Sequence, residues 1–207
     1  MTIDDWNLIF YSMIYTAVPC MTYGVFEQPA PPPMLLRHPT AYRGGPACAA
    51  YNGRAFLLTM ADTAWQALAI FFVPVLGYAP YRAVGLRELG CLHMTALTLC
   101  ASLHIAIDTR HWTLPHAAAV ALSFLAYVLL TLYFDASLDT GFGRYWIIYH
   151  GASDGEWWLV LLLSVVAALL PHTAARAASE LFRPSVSALL RELARLEHRL
   201  RRRVTVM

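Results

Sequence analysis

The chain has 207 residues, 58% of them hydrophobic and 14% charged, with a formal net charge of +2 and a mean hydropathy of +0.50. A water-soluble domain of this length carries charge on about a quarter of its residues, so most of this chain does not face water. No glycine-rich phosphate loop, nucleophile triad or basic nucleic-acid patch is present, and "GFG" (141–143) is only a loop element.

A helix needs about 20 largely apolar residues to cross a bilayer core. Five segments supply them, roughly Trp6–Val25, Phe56–Tyr78, Gly90–Ile107, His116–Phe134 and Trp157–Ala175. The expected fold is all-α: a polytopic membrane helix bundle with five transmembrane helices over 1–183 and a basic C-terminal amphipathic helix over 184–207. The first span carries Pro19 near its middle and stops at Gly24, ahead of Glu27 and Gln28. Pro19 removes one backbone hydrogen bond and frees the carbonyl of Tyr15 a turn earlier. In lipid that is tolerated only where neighbouring helices, hydroxyls or water serve the freed group. Ser12, Thr16 and Thr22 bring hydroxyls close by. Transporters use broken helices of this kind to expose backbone at mid-membrane. A packing kink is the simpler reading of the stretch taken alone.

Residues 27–55 are rich in proline and glycine and read as an irregular loop. Asp62 is the only acid of the second span; complementing the dipole of the helix N-terminus is favoured over an intramembrane functional role. A short loop, about Ala79–Leu89, leads to the third span, where His93, Cys100, His104 and Asp108 lie within about 80° of one helical face. Such a stripe is a metal site, a proton relay, or a polar face turned into the bundle. His93 and His104 are about 16 Å apart along the axis and cannot share an ion. Cys100 and His104, one turn apart, supply only two ligands of a tetrahedral site. The bundle-facing stripe is preferred and no metal is expected.

The alanine-rich fourth span (Ala117–Ala121, Ser123, Ala126) offers small faces for close packing. The loop at 135–156 is longer, and its "RYWIIYH" is aromatic enough for a membrane interface. In the tail, Pro184 and Ser185 open a helix on which Leu189, Leu193, Leu196 and Leu200 recur at helical spacing. This helix is read as an ordinary solvated one in preference to a lipid-surface anchor.

All fifteen basic residues are arginine, and five spans place twelve of them on one side and three on the other. The positive-inside rule assigns the twelve, with the C-terminus, to the cytoplasm. The first ten residues carry Asp4 and Asp5 and no basic residue, the reverse of a signal peptide. A chain opening outside without a signal reads as the end of something longer. The four cysteines are scattered, without C-x-x-C spacing, so no disulfide framework is suggested, and neither Asn7 nor Asn52 begins a glycosylation sequon.

"WNLIFYSMIYTAVPCMTYGVFE" (6–27) resembles the sixth membrane helix of type IV P-type ATPases, the phospholipid flippases. Trp6, Tyr11, Tyr15, Thr16, Pro19, Gly24, Phe26 and Glu27 fall on that family's pattern. "HPTAY" (38–42) resembles its YPxLY, "YNGRAF" (51–56) its FNxxxF, and "IDTRHWT" (107–113) its LETxYWT. "YWIIY" (145–149) and the segment 157–185, with its LLP and final F-x-P, look like the last loop and tenth helix. These motifs, each weak alone, stand in the right order and cover about Trp6 to Ser185, and the spans look like helices six to ten. The departures are Ser12 for the family's asparagine, His104 for its lysine and His172 for the acid after LLP.

The resemblance implies a parent protein that moves phospholipid from the outer to the cytoplasmic leaflet, with ATP and Mg²⁺ bound in sequence not found here. The phosphorylated Asp-Lys-Thr-Gly-Thr motif is absent from the 207 residues, so no catalytic residue and no cofactor are expected in this chain. Ser12, Thr16 and Pro19 are the lipid-path candidates. The implied partners are membrane phospholipid, the N-terminal part of the ATPase and an accessory glycoprotein subunit, in the plasma membrane or a Golgi or endosomal membrane. The rival readings are a stand-alone five-helix membrane protein that binds or regulates, and a metal or proton carrier built on the third-span stripe.

Overall fold

The computed structural model describes residues 5–28, 32–37, 52–78, 85–136, 147–182, 188–190, 192, 193 and 196. Among them every regular element is helical: α1 (Asp5–Phe10), a π-helical turn (Tyr11–Tyr15), α2 (Ala17–Phe26), α3 (Pro32–Arg37), α4 (Gly53–Tyr78), α5 (Leu86–Asp108), α6 (Leu114–Ala136), α7 (Ile147–Ser153) and α8 (Gly155–Phe182). Five stretches are long and apolar enough to cross a membrane: Trp6–Phe26, α4, α5, α6 and α8. The all-α, five-span expectation agrees with this.

Local chemistry explains where the helices start and stop. Asn52 caps α4 by accepting the Ala55 N–H at 3.0 Å, so the helix begins ahead of the expected Phe56. Glu156 stands in the first turn of α8, where a carboxylate complements the dipole. Two segments read as loops contain short helices, α3 within 27–55 and α7 within 135–156. "HPTAY", Tyr51, the loop at 79–84, "GFG", and Pro184, Ser185 and Leu200 of the tail lie outside the described residues. In the described part of the tail Leu190 is the buried leucine, whereas Leu189, Leu193 and Leu196 of the expected apolar face are about half exposed.

The chain divides into two compact units, one of Met1–Glu27 with Thr63–Pro171 and one of Gln28–Asp62 with His172–Met207. In the first, α5 is the central helix: 44% of its span is buried, against 11% for α4 and 28% for α8. One side of α5 packs Leu92, Ala96 and Cys100 against Ile70 of α4 and Leu161, Val165 and Ala168 of α8. Its other side meets Tyr15 and Tyr127 of α6 through Met94, the two tyrosine rings lying edge to face at 5.3 Å. Small residues set the approach. A Cβ on Gly77 would stand 3.3 Å from Val160, and one on Gly151 would stand 3.1 Å from the Trp157 indole.

In the second unit Asp62 lies well inside α4 rather than in its first turn, and its Oδ2 is 3.1 Å from His172 Nδ1. A cross-helix partner thus replaces the dipole role expected for Asp62.

Lipid tails are as apolar as leucine, so packing rather than removal from water holds such helices together. Ala168 is fully buried, and Ala168→Leu forces extra volume into the α5–α8 contact, costing about 1–3 kcal/mol. The expected result is a lowered thermal midpoint of the purified protein in detergent. The control Leu159→Ala, at a site 70% exposed, leaves the midpoint nearly unchanged.

Candidate functional site

The first span is broken at the place its proline demands. Pro19 has no N–H to give to the Tyr15 carbonyl, and the turn before it widens into a π-helix over Tyr11–Tyr15. Such π-turns concentrate at functional positions. The Thr16 N–H closes the turn on the Tyr11 carbonyl at 3.1 Å, and the Thr16 hydroxyl donates to the same oxygen at 2.8 Å. The Tyr15 carbonyl is served from α6, where Ser123 Oγ donates across 2.7 Å. The Ile14 carbonyl lies 3.1 Å from the same hydroxyl.

The hydroxyl that reaches the freed carbonyl is therefore neither Ser12, Thr16 nor Thr22. Ser12 donates to Ile9 O at 3.1 Å, and Thr22 to Pro19 O at 2.9 Å. Each is on the span itself and bonds the carbonyl its own backbone puts within reach. Of the lipid-path candidates, Ser12 is exposed, Thr16 half-buried and Pro19 buried. The exposed face of the span carries Ser12, Met13, Cys20, Met21 and Gly24.

The wider turn also re-phases the helix. In an uninterrupted α-helix Asn7 and Tyr15 are about 80° apart around the axis. Here both are buried, and the Tyr15 hydroxyl donates to Asn7 Oδ1 at 3.4 Å. Next to it the Tyr127 hydroxyl is 2.7 Å from Thr95 Oγ1.

The end of α2 is tied to the loop between α5 and α6. The Glu27 carboxylate accepts the Arg110 N–H at 3.1 Å and the His111 N–H at 3.4 Å. His116, almost wholly buried, has Nε2 2.8 Å from Thr109 Oγ1 and Nδ1 3.4 Å from Thr22 Oγ1. The "GVFE" stop and the "IDTRHWT" element, far apart in the chain, thus meet in space.

The third-span stripe divides in two. His93 Nδ1 is 2.6 Å from Leu89 O and its Nε2 3.2 Å from Phe71 O on α4. Lower down, Gln66 of α4 donates to His104 Nδ1 at 3.1 Å and accepts from Cys100 Sγ at 3.8 Å, while His104 Nε2 is 3.5 Å from Asp108 Oδ2. The stripe bonds α4, and Gln66, a lone amide in an apolar run, is the partner that helical spacing on α5 alone does not reveal. Ser123 is masked in the sequence by the alanines around it, and His116 by its place at a span boundary.

Removing the Glu27 carboxylate strips two backbone amides of a charged acceptor, a loss of about 1.5–3 kcal/mol. Glu27→Ala is expected to speed amide exchange across 109–113 by mass spectrometry and leave α8 peptides unchanged.

Residues 1–185 match the family described as phospholipid-translocating P-type ATPase C-terminal. The chain is 34% identical over 194 residues to phospholipid-transporting ATPase 1 of Arabidopsis thaliana, covering 94% of this chain and 16% of that protein. It is 32% identical over 196 residues to phospholipid-transporting ATPase VA of Homo sapiens, covering 93% of this chain and 13% of that one. The chain thus spans about a sixth or less of these two relatives. With five spans of membrane-crossing length, the chain is an integral multi-pass membrane protein and belongs to the phospholipid-translocating P-type ATPase C-terminal family.

Proposed function

We propose that this chain works as the C-terminal membrane portion of an ATP-driven flippase, moving phospholipid from the outer to the cytoplasmic leaflet. The family match over residues 1–185 carries the reading. The physical problem is to take a charged head group past hydrocarbon, where an unpaired charge is expensive. A span with a π-turn, a proline and hydroxyls at mid-depth supplies polar backbone and side-chain groups along that route. Ser12, Thr16 and Pro19 are the residues of this chain assigned to the lipid path. The other four spans brace the first, through α6 above all.

ATP hydrolysis, with its Mg²⁺ and aspartyl phosphate, belongs to sequence outside these 207 residues. The chain has no Asp-Lys-Thr-Gly-Thr motif and no glycine-rich phosphate loop, which supports that assignment. The partners proposed are the N-terminal part of the ATPase and an accessory glycoprotein subunit against the outer loops. The arginine distribution supports a cytoplasmic C-terminus, and the membranes proposed are the plasma membrane or a Golgi or endosomal membrane.

The test is a chimera in which residues 1–185 replace the matching segment of the Arabidopsis relative. The expected outcome is ATP-dependent, vanadate-sensitive uptake of a fluorescent phospholipid into the inner leaflet, slowed several-fold by Thr16→Val. The isolated 207-residue chain in liposomes should transport nothing. A chimera that reaches the membrane and is phosphorylated by ATP, yet moves no lipid, would overturn the reading.

A further inference from the structure

We infer that Ser123 of α6 is a positioning residue for the lipid path: its hydroxyl stands in for the N–H that Pro19 lacks and fixes where the first span breaks. This rests on the reading of that span as part of the path, but the pairing itself is a statement about the chain alone. Ser123 is 3% exposed, so its hydroxyl is held among the helices rather than offered to solvent. Its short bond, 2.7 Å, goes to the Tyr15 carbonyl, the oxygen that residue 19 would have served in a regular helix. Its longer contact, 3.1 Å, goes to Ile14, the carbonyl one residue earlier.

A hydroxyl carries one hydrogen, so the two contacts share it. Two successive carbonyls facing one donor is what a break held from outside the helix looks like. A serine that merely filled space would need no aim at the carbonyl proline frees. On the span itself, Thr16 and Ser12 bond carbonyls further up the chain, at Tyr11 and Ile9. They hold the turn before the break, whereas Ser123 holds the break.

The consequence is an energetic coupling between residues 19 and 123, which belong to different helices. Contacting groups that share one hydrogen-bond acceptor are non-additive on substitution. Restoring the missing N–H makes the Ser123 hydroxyl redundant.

The experiment is a double-mutant cycle on the full 207-residue chain in nanodiscs, read by thermal midpoint and by the isotope-edited carbonyl stretches of Tyr15 and Ile14. Ser123→Ala should lower the midpoint and raise the Tyr15 carbonyl frequency, with a smaller rise at Ile14. Ser123→Thr, which keeps a hydroxyl, should restore both. In a Pro19→Ala background Ser123→Ala should change neither. Equal effects of Ser123→Ala in the two backgrounds, or an unmoved Tyr15 band, would overturn the inference. If Ser123→Ala does not accumulate, Ser123→Cys, a weaker donor of similar size, is read against the same two outcomes. In the chimera, Ser123→Ala should slow lipid uptake several-fold without changing phosphorylation by ATP; unchanged uptake would remove the positioning role. A chimera that never transports lipid counts against the proposed function, and the cycle in the isolated chain still decides the pairing.

Discussion

The bilayer core contains no water, so every backbone donor and acceptor within it has to find its partner inside the protein. That constraint organises the first span. A proline there deletes a donor and leaves the Tyr15 oxygen to be satisfied from elsewhere. The chain answers with a wider turn before the proline and a hydroxyl from α6 beside it. Once Ser123 holds Tyr15, α2 is committed to α6, and Tyr15 and Met94 are brought into one cluster with Tyr127. The ends of the span follow, with Asn7 turned to Tyr15 and Glu27 reaching the loop after α5.

The same economy runs through α5. Thr95 and Thr98 close on backbone carbonyls one turn earlier, at Cys91 and Met94, and His93, Cys100 and His104 reach α4. Polar side chains in a membrane bundle commonly serve as the glue between helices where hydrophobic removal from water contributes little. The third span then reads as the post of the first unit: Leu92, Ala96 and Cys100 pack with α4 and α8, His93 and His104 bond α4, and Met94 meets Tyr15 of the broken span and Tyr127 of α6.

The division of labour suits the family. Motifs of a sixth-helix type and of an eighth-helix type are stitched together by Glu27, Thr22, Thr109 and His116. These contacts tie the end of the broken span directly to the loop between α5 and α6. Gly77 and Gly151 leave room for Val160 and Trp157 of α8 to approach.

The sequence by itself determined the class, the five spans and the family pattern. Hydropathy over about 20 residues is a property of the chain alone, and a proline deletes its N–H wherever it stands. It also made Pro19 and its freed Tyr15 carbonyl visible as the point of interest. Which group answers that carbonyl was decided only by the tertiary structure. Ser123 lies 108 residues from Tyr15, and no spacing rule within a helix reaches that far. The hydroxyls close in sequence, on Ser12, Thr16 and Thr22, are captured by carbonyls one turn away because those are nearest in space. Likewise the stripe on α5 was legible as a face, but its partners Gln66 and Phe71 were not, since they depend on how α4 packs. The termini and helical faces of single elements follow from local chemistry; the pairing of polar groups between elements follows from which helices pack together.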